Sequence, residues 1–155
     1  MHLSGTYDIA APIGTVWTLL NDPDVIATCL PGCGGLEPLG GDRFKVSLAV
    51  AVAAISGNYD GTVALADKVP GRSYRLRVEG SGRAGFVHGD ARIELKAFGG
   101  TLGEPSRTQV TVTGDGQVGG LLARVGQRLL GSVSQMLMDR FFAAFRERAE
   151  RAEAH

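Results

Sequence analysis

Phe44-Lys45-Val46-Ser47-Leu48-Ala49-Val50-Ala51-Val52-Ala53 is the stretch whose reading decides the fold. Every second side chain is large and apolar, and those between are polar or small. A period of two is the signature of a β-strand with one face in a core and the other facing water. The run follows Gly40-Gly41-Asp42, a cluster that reads as a turn. The same alternation returns downstream. Tyr59, Gly61, Val63 and Leu65 oppose Asp60, Thr62 and Ala64, and Tyr74, Leu76 and Val78 oppose Arg75, Arg77 and Glu79. Ile93 and Leu95 oppose Arg92, Glu94 and Lys96, and Val110 and Val112 oppose Gln109, Thr111 and Thr113. Val69-Pro70-Gly71 and Gly99-Gly100 punctuate the series as turns. From Leu36 to Gly114 the chain therefore reads as antiparallel strands wet on one side.

Working outward, Leu3 to Ile9 alternates as a further strand. Pro12 suits the first turn of a helix, and Val16, Trp17 and Leu20 follow at helical spacing. Asp22-Pro23 predicts a second short helix with Asp22 as N-cap and Pro23 at its first position, ending near Leu30 because Pro31-Gly32 cannot continue it. At the other end, Gly119-Gly120 introduces a helix expected from about Leu121 almost to the terminus. Leu122, Val125, Leu129, Val133, Met136 and Leu137 form its apolar stripe. Beyond Phe145 the charged run Arg146 to Arg151 reads as a solvated helix end. The architecture these elements imply is α+β, one domain over residues 1–155. A curved antiparallel sheet wraps a long C-terminal helix, with two short helices after the first strand. The 23 glycines, many of them inside strands, suit a sheet built to curve.

Composition excludes several classes. Sixteen basic and sixteen acidic residues give no net charge, which argues against nucleic acid as a partner. Cys29 and Cys33 are the only cysteines, and His2, His88 and His155 the only histidines, too few for a structural zinc site. The start Met1-His2-Leu3-Ser4-Gly5 lacks the layout of a signal peptide. The most apolar run, Val46 to Ile55, is about half the ~20 residues a membrane-spanning helix needs. A cytoplasmic protein with at most peripheral membrane contact is expected.

Four local patterns invite a functional reading. Gly80-Ser81-Gly82-Arg83-Ala84-Gly85 matches the dinucleotide-binding spacing, but an alternating strand follows it instead of a helix, so a hairpin is the better reading. His88 and Asp90 share one strand face and could exchange a proton, although Arg92, Glu94 and Lys96 on that face suggest a solvated stripe. Met136 and Met138 with Phe141, Phe142 and Phe145 could be core or a docking patch. The three phenylalanines do not share one helical face, so partial exposure is expected. Leu30-Pro31-Gly32-Cys33 is a helix stop that would lie at the rim of a cup.

Several segments taken in order resemble the carbon monoxide dehydrogenase CoxG family, of the START/polyketide-cyclase-like (SRPBCC) superfamily with the helix-grip fold. They are Ala11-Pro12 with Val16-Trp17, Asn21-Asp22-Pro23, Cys29 to Cys33 with Leu36-Glu37, and Ile55-Ser56-Gly57-Asn58-Tyr59-Asp60-Gly61. Gly80-Ser81-Gly82 with Gly85-Phe86, Val118-Gly119-Gly120-Leu121 and the Phe141-Phe142 pair complete the set. The resemblance implies a non-catalytic accessory protein of a molybdenum hydroxylase of the carbon monoxide dehydrogenase type. Such a protein would help bring the enzyme to the inner face of the membrane and carry a quinone, of menaquinone or ubiquinone type, or another lipid-like ligand in the helix-grip cavity. Metal and flavin centres would belong to other subunits. Family members often continue into a membrane-contacting tail, whereas this chain stops at His155.

The expectation for the site is a hydrophobic small molecule held between sheet and helix. Leu30 and Cys33 would stand at the rim and Phe86 at a bulge. Val46, Leu48, Val63, Leu76 and Ile93 would form the sheet wall, with Leu122, Val125, Leu129, Val133 and Met136 along the helix. The alternatives are a cyclase or hydratase using His88 and Asp90 on a polyketide-like substrate, and a cargo-free protein docking an oxidoreductase through Phe141 to Phe145.

Overall fold

The computed structural model describes residues 1–52, 55–101, 103 and 105–154. Seven strands form one antiparallel sheet: β1 (His2–Ile9), β2 (Cys33–Gly40), β3 (Arg43–Val50), β4 (Gly57–Val69), β5 (Ser73–Gly82), β6 (Gly85–Gly99) and β7 (Ser106–Gly119). Their spatial order is β1-β7-β6-β5-β4-β3-β2, so β2 to β7 form a meander and β1 returns to pair with β7. Two short helices, α1 (Ile13–Leu20) and α2 (Pro23–Cys29), bridge β1 to the opposite sheet edge, and α3 (Gln127–Ala154) packs across the concave side.

Local chemistry accounts for the boundaries. Asp22 caps α2 by accepting a 3.0 Å hydrogen bond from the Asp24 N–H, and Pro23 occupies the first helical position, where its missing N–H is not needed. α1 has no capping side chain; Pro12, fixed in the extended region, stands at its N-cap, and Val16 and Leu20 bury its inner face. The 80–85 glycine motif forms the β5–β6 hairpin.

Three expectations require correction. The strand read from Phe44 to Ala53 stops at Val50, and Ala53 lies outside the described residues. The last helix does not begin at Leu121. Gly120–Arg124 forms a 3-10 turn, and Gly126 at φ 98° breaks the chain direction before α3 starts. The phenylalanines of α3 form no docking patch either. Phe142 and Phe145 are buried and Phe141 is half-buried, packed edge-on against Phe142 and stacked on Phe145.

The interior divides into two apolar clusters. The larger gathers Ile9, Val16, Leu20, Tyr74, Ile93, Val110, Phe142 and Phe145 where α1, α2 and the second half of α3 meet the sheet. The smaller joins Ile55, Leu122, Leu130 and Val133, with Val50, Val52 and Ala84 from the strand tips packed around them. The polar side chains of β5 and β6 face outward in pairs. Arg77 Nε lies 3.2 Å from Asp90, Arg92 Nε 2.8 Å from Glu94, and His88 Nδ1 3.6 Å from Glu79.

Candidate functional site

Directly paired residues of antiparallel strands share a face, so the register maps the concave surface row by row. Tyr74, Ile93, Val112 and Gly5 form one row, and Leu65, Leu76, Ala91, Gly114 and Leu3 the next. The side chains of both rows belong to the larger cluster or pack against it. The third row runs Phe44, Val63, Val78, Gly89, Gly116 and the fourth Leu36, Val46, Gly61, Gly80, Val87, Val118. Leu48, beside Cys33 and Tyr59, begins a fifth.

In these outer rows the packing changes. Val87, Val118 and Tyr59 join the smaller cluster. Leu36, Phe44, Val46, Leu48, Val63 and Val78 are half-buried and, among the described residues, pack into neither cluster. They floor an apolar hollow bounded by the larger cluster at one end and the smaller at the other. Leu129, Val133, Leu137 and Phe141 recur at four-residue steps on α3 and so form one stripe, whose members all pack into one cluster or the other.

The chemistry of the hollow is that of retention. None of its six floor residues titrates. At the edge, the Tyr59 hydroxyl is committed to the Ile55 carbonyl at 2.6 Å, and burial pushes its pKa up, so it stays neutral. The Cys33 thiol lies 3.6 Å from the Gly35 carbonyl. A pocket with many apolar walls and few polar groups suits an uncharged, hydrophobic guest. Among the described residues no group of three or more His, Cys, Asp or Glu side chains is placed to hold a metal ion.

Val46, Leu48 and Val63 lie on the floor, while Leu30, at the C-terminus of α2, and Cys33 are half-buried at its β2 side. Leu76 packs against the larger cluster and Ile93 is part of it. Leu122 and Val133 are buried in the smaller cluster, with Val125 and Leu129 packed around them. Phe86 stands 45 % exposed on the convex face beside His88, and Met136 is 37 % exposed on the outer side of α3; both are removed from the hollow. His88 and Asp90 are exposed on the convex face too, so the proton-transfer pair has no cavity to serve. Phe44, Val78, Leu36 and Leu137 were not among the expected residues. Phe44 and Val78 are in phase with Val46 and Leu76, which was the available signal.

Two surface recesses lie elsewhere. A shallow one follows Gly131, Gln135, Met136 and Asp139 along α3. A cleft of about 360 Å³ separates α2 from α3 and exposes the edge of Cys29 to Arg148 and Arg151. Burial pushes the Cys29 thiol up more than those two arginines pull it down, so it is not an activated thiolate.

A curved antiparallel sheet gripping a long C-terminal helix, with an apolar hollow between them, defines a START-like helix-grip protein. The model of the carbon monoxide dehydrogenase CoxG family matches residues 5–150, and the chain belongs to that family. Among solved structures it is similar to a conserved protein from Geobacillus kaustophilus, at 33% identity and a TM-score of 0.89 over 98% of this chain and 97% of that one. A START superfamily protein from Mycobacterium smegmatis shares the fold at 13% identity and a TM-score of 0.75, covering 97% and 98% of the two chains. The ZhuI aromatase/cyclase from Streptomyces sp. R1128 does so at 23% identity and 0.66, covering 97% and 94%. No match was found among curated proteins searched by sequence.

Proposed function

We propose that the protein is a non-catalytic binding subunit. It holds an isoprenoid quinone or similar lipid-like molecule in the hollow, in the service of a molybdenum hydroxylase of the carbon monoxide dehydrogenase type. The observation that carries this reading is the strip Leu36, Phe44, Val46, Leu48, Val63 and Val78, six apolar side chains aimed at α3 and packed into neither core cluster. Burying such surface against a guest is worth about 25 cal/mol per Å², enough for useful affinity without a charged contact. Family membership supports the association with an oxidoreductase. The reading places the protein in the cytoplasm, meeting the membrane peripherally; no described helix is long and apolar enough to cross one.

The test is native mass spectrometry of the protein purified from its own host, followed by extraction and identification of any bound molecule, for the wild type and for Val78→Trp. A stoichiometric quinone or lipid in the wild type, absent from the folded Trp variant, is expected. A wild type that is free of ligand and takes up no added quinone or lipid would overturn the reading.

A further inference from the structure

Resting on this reading of the hollow, we infer that Gly80 and Gly89 are clearance positions which make the floor selective for a planar ring over a flexible chain. They lie on neighbouring strands, Gly80 opposite Val87 and Gly89 opposite Val78, so they are diagonal neighbours on the concave face. Glycine inside a strand weakens it and usually has a local cause: a left-handed backbone, or another group too close for a Cβ. Other glycines of this sheet show such causes. A Cβ on Gly61 would fall 1.8 Å from the Glu79 carbonyl oxygen, one on Gly82 2.5 Å from that of Asn58, and one on Gly114 2.9 Å from that of Asp90.

Gly80 and Gly89 show neither cause. Both have φ in the range open to any residue, and a Cβ at either position would meet nothing closer than 3.8 Å, the Asp60 oxygen in one case and the Asp115 oxygen in the other. The fold would accept alanine at both positions and gain rigidity. What the glycines provide is bare peptide surface inside an apolar hollow, flanked by Val78 and Val87. A flat ring can lie on that surface at van der Waals distance, about 3.5 Å, whereas a methyl group there would lift it off. A flexible chain can bend around a methyl group and loses little.

The experiment compares the wild type with Gly80→Ala and Gly89→Ala, using 1-aminoanthracene as the planar probe (fluorescence) and oleate as the flexible one (calorimetry), with thermal melts as a folding control. Each substitution should weaken 1-aminoanthracene by about tenfold or more, the cost of one badly placed methyl group, and oleate by much less. Melting points should hold or rise. Affinity of both variants for 1-aminoanthracene equal to wild type, or equal losses for both probes, would overturn the inference. A wild type that binds oleate but not 1-aminoanthracene would overturn it while leaving the hollow intact. A wild type that binds neither would overturn both.

Discussion

The Tyr7 hydroxyl donates a 2.6 Å hydrogen bond to Asp139 Oδ1, tying β1 to the middle of α3. The same oxygen accepts from Gln135 Nε2 at 2.9 Å, and the Tyr7 ring stacks on Phe142 with centroids 4.2 Å apart. Tyr7→Phe keeps the stack and removes the bond. Because the contact is partly solvated, the expected loss is about 1 kcal/mol, read as a lower urea midpoint at unchanged slope. An unchanged midpoint would mean the bond contributes nothing and the stack alone seats α3.

A pH dependence follows from the tyrosines. Burial raises the phenols of Tyr7, Tyr59 and Tyr74 above their ordinary value, and at Tyr7 the Asp139 carboxylate adds to the effect. The folded state then keeps these protons to higher pH than the unfolded state, which loses them near pH 10. Their contribution is fully present below about pH 10 and is lost as pH rises through the folded values. Unfolding free energies measured from about pH 8 to 11 should fall at the alkaline end, and less steeply for Tyr7→Phe. Identical slopes for the two proteins would contradict the assignment to Tyr7.

Phe145 is fully buried, in the larger cluster. Phe145→Ala leaves a cavity where α3 meets the rest of that core, and should cost about 3–5 kcal/mol, lowering the melting temperature by roughly 10 °C. A loss under about 1 kcal/mol would show that the region collapses to fill the space.

Asp22→Ala removes the N-cap of α2 and should cost about 1 kcal/mol, with Asp22→Asn restoring most of it. Apolar-probe uptake should be unaffected by either change. If uptake falls along with stability, α2 positions part of the hollow as well as closing the sheet edge.

The convex pair supplies a control. His88→Ala with Asp90→Ala removes only exposed ion pairs, so stability should move by less than about 0.5 kcal/mol and uptake of an apolar probe should match wild type. Lost uptake in a folded double variant would return a functional role to these residues.

The strands and short helices were legible because each rests on local chemistry. Alternation around Phe44 to Val50 can only be a half-buried strand, and Asp22-Pro23 can hardly be anything but a helix start. The break before α3 was hidden for a physical reason. Leu122 and Val125 are three apart, which fits a 3-10 turn as well as an α-helix, and Gly126 leaves no mark in an apolar pattern. Supposing a bulge misplaces Phe86. The register from Gly85 to Gly99 runs unbroken, so counting back by twos from Ile93 reaches Val87 and leaves Phe86 outside. The phenylalanines are buried because the second half of α3 packs against α1 and α2 as well as β1, which widens its apolar face beyond one stripe. Which apolar residues would be core and which would floor the hollow depends on where the two clusters stop, and no local pattern records that.

The pairing of β1 with β7 sets the order in which the molecule can be assembled. His2 lies opposite Asp115 and Ile9 opposite Thr108, so each contact in this ladder closes a loop of about a hundred residues or more. The β2–β7 meander can grow hairpin by hairpin from neighbouring residues. During synthesis β1 leaves the ribosome early and stays without its partner until β7 follows. Its docking, together with that of α3, is the long-range step expected to limit the folding rate.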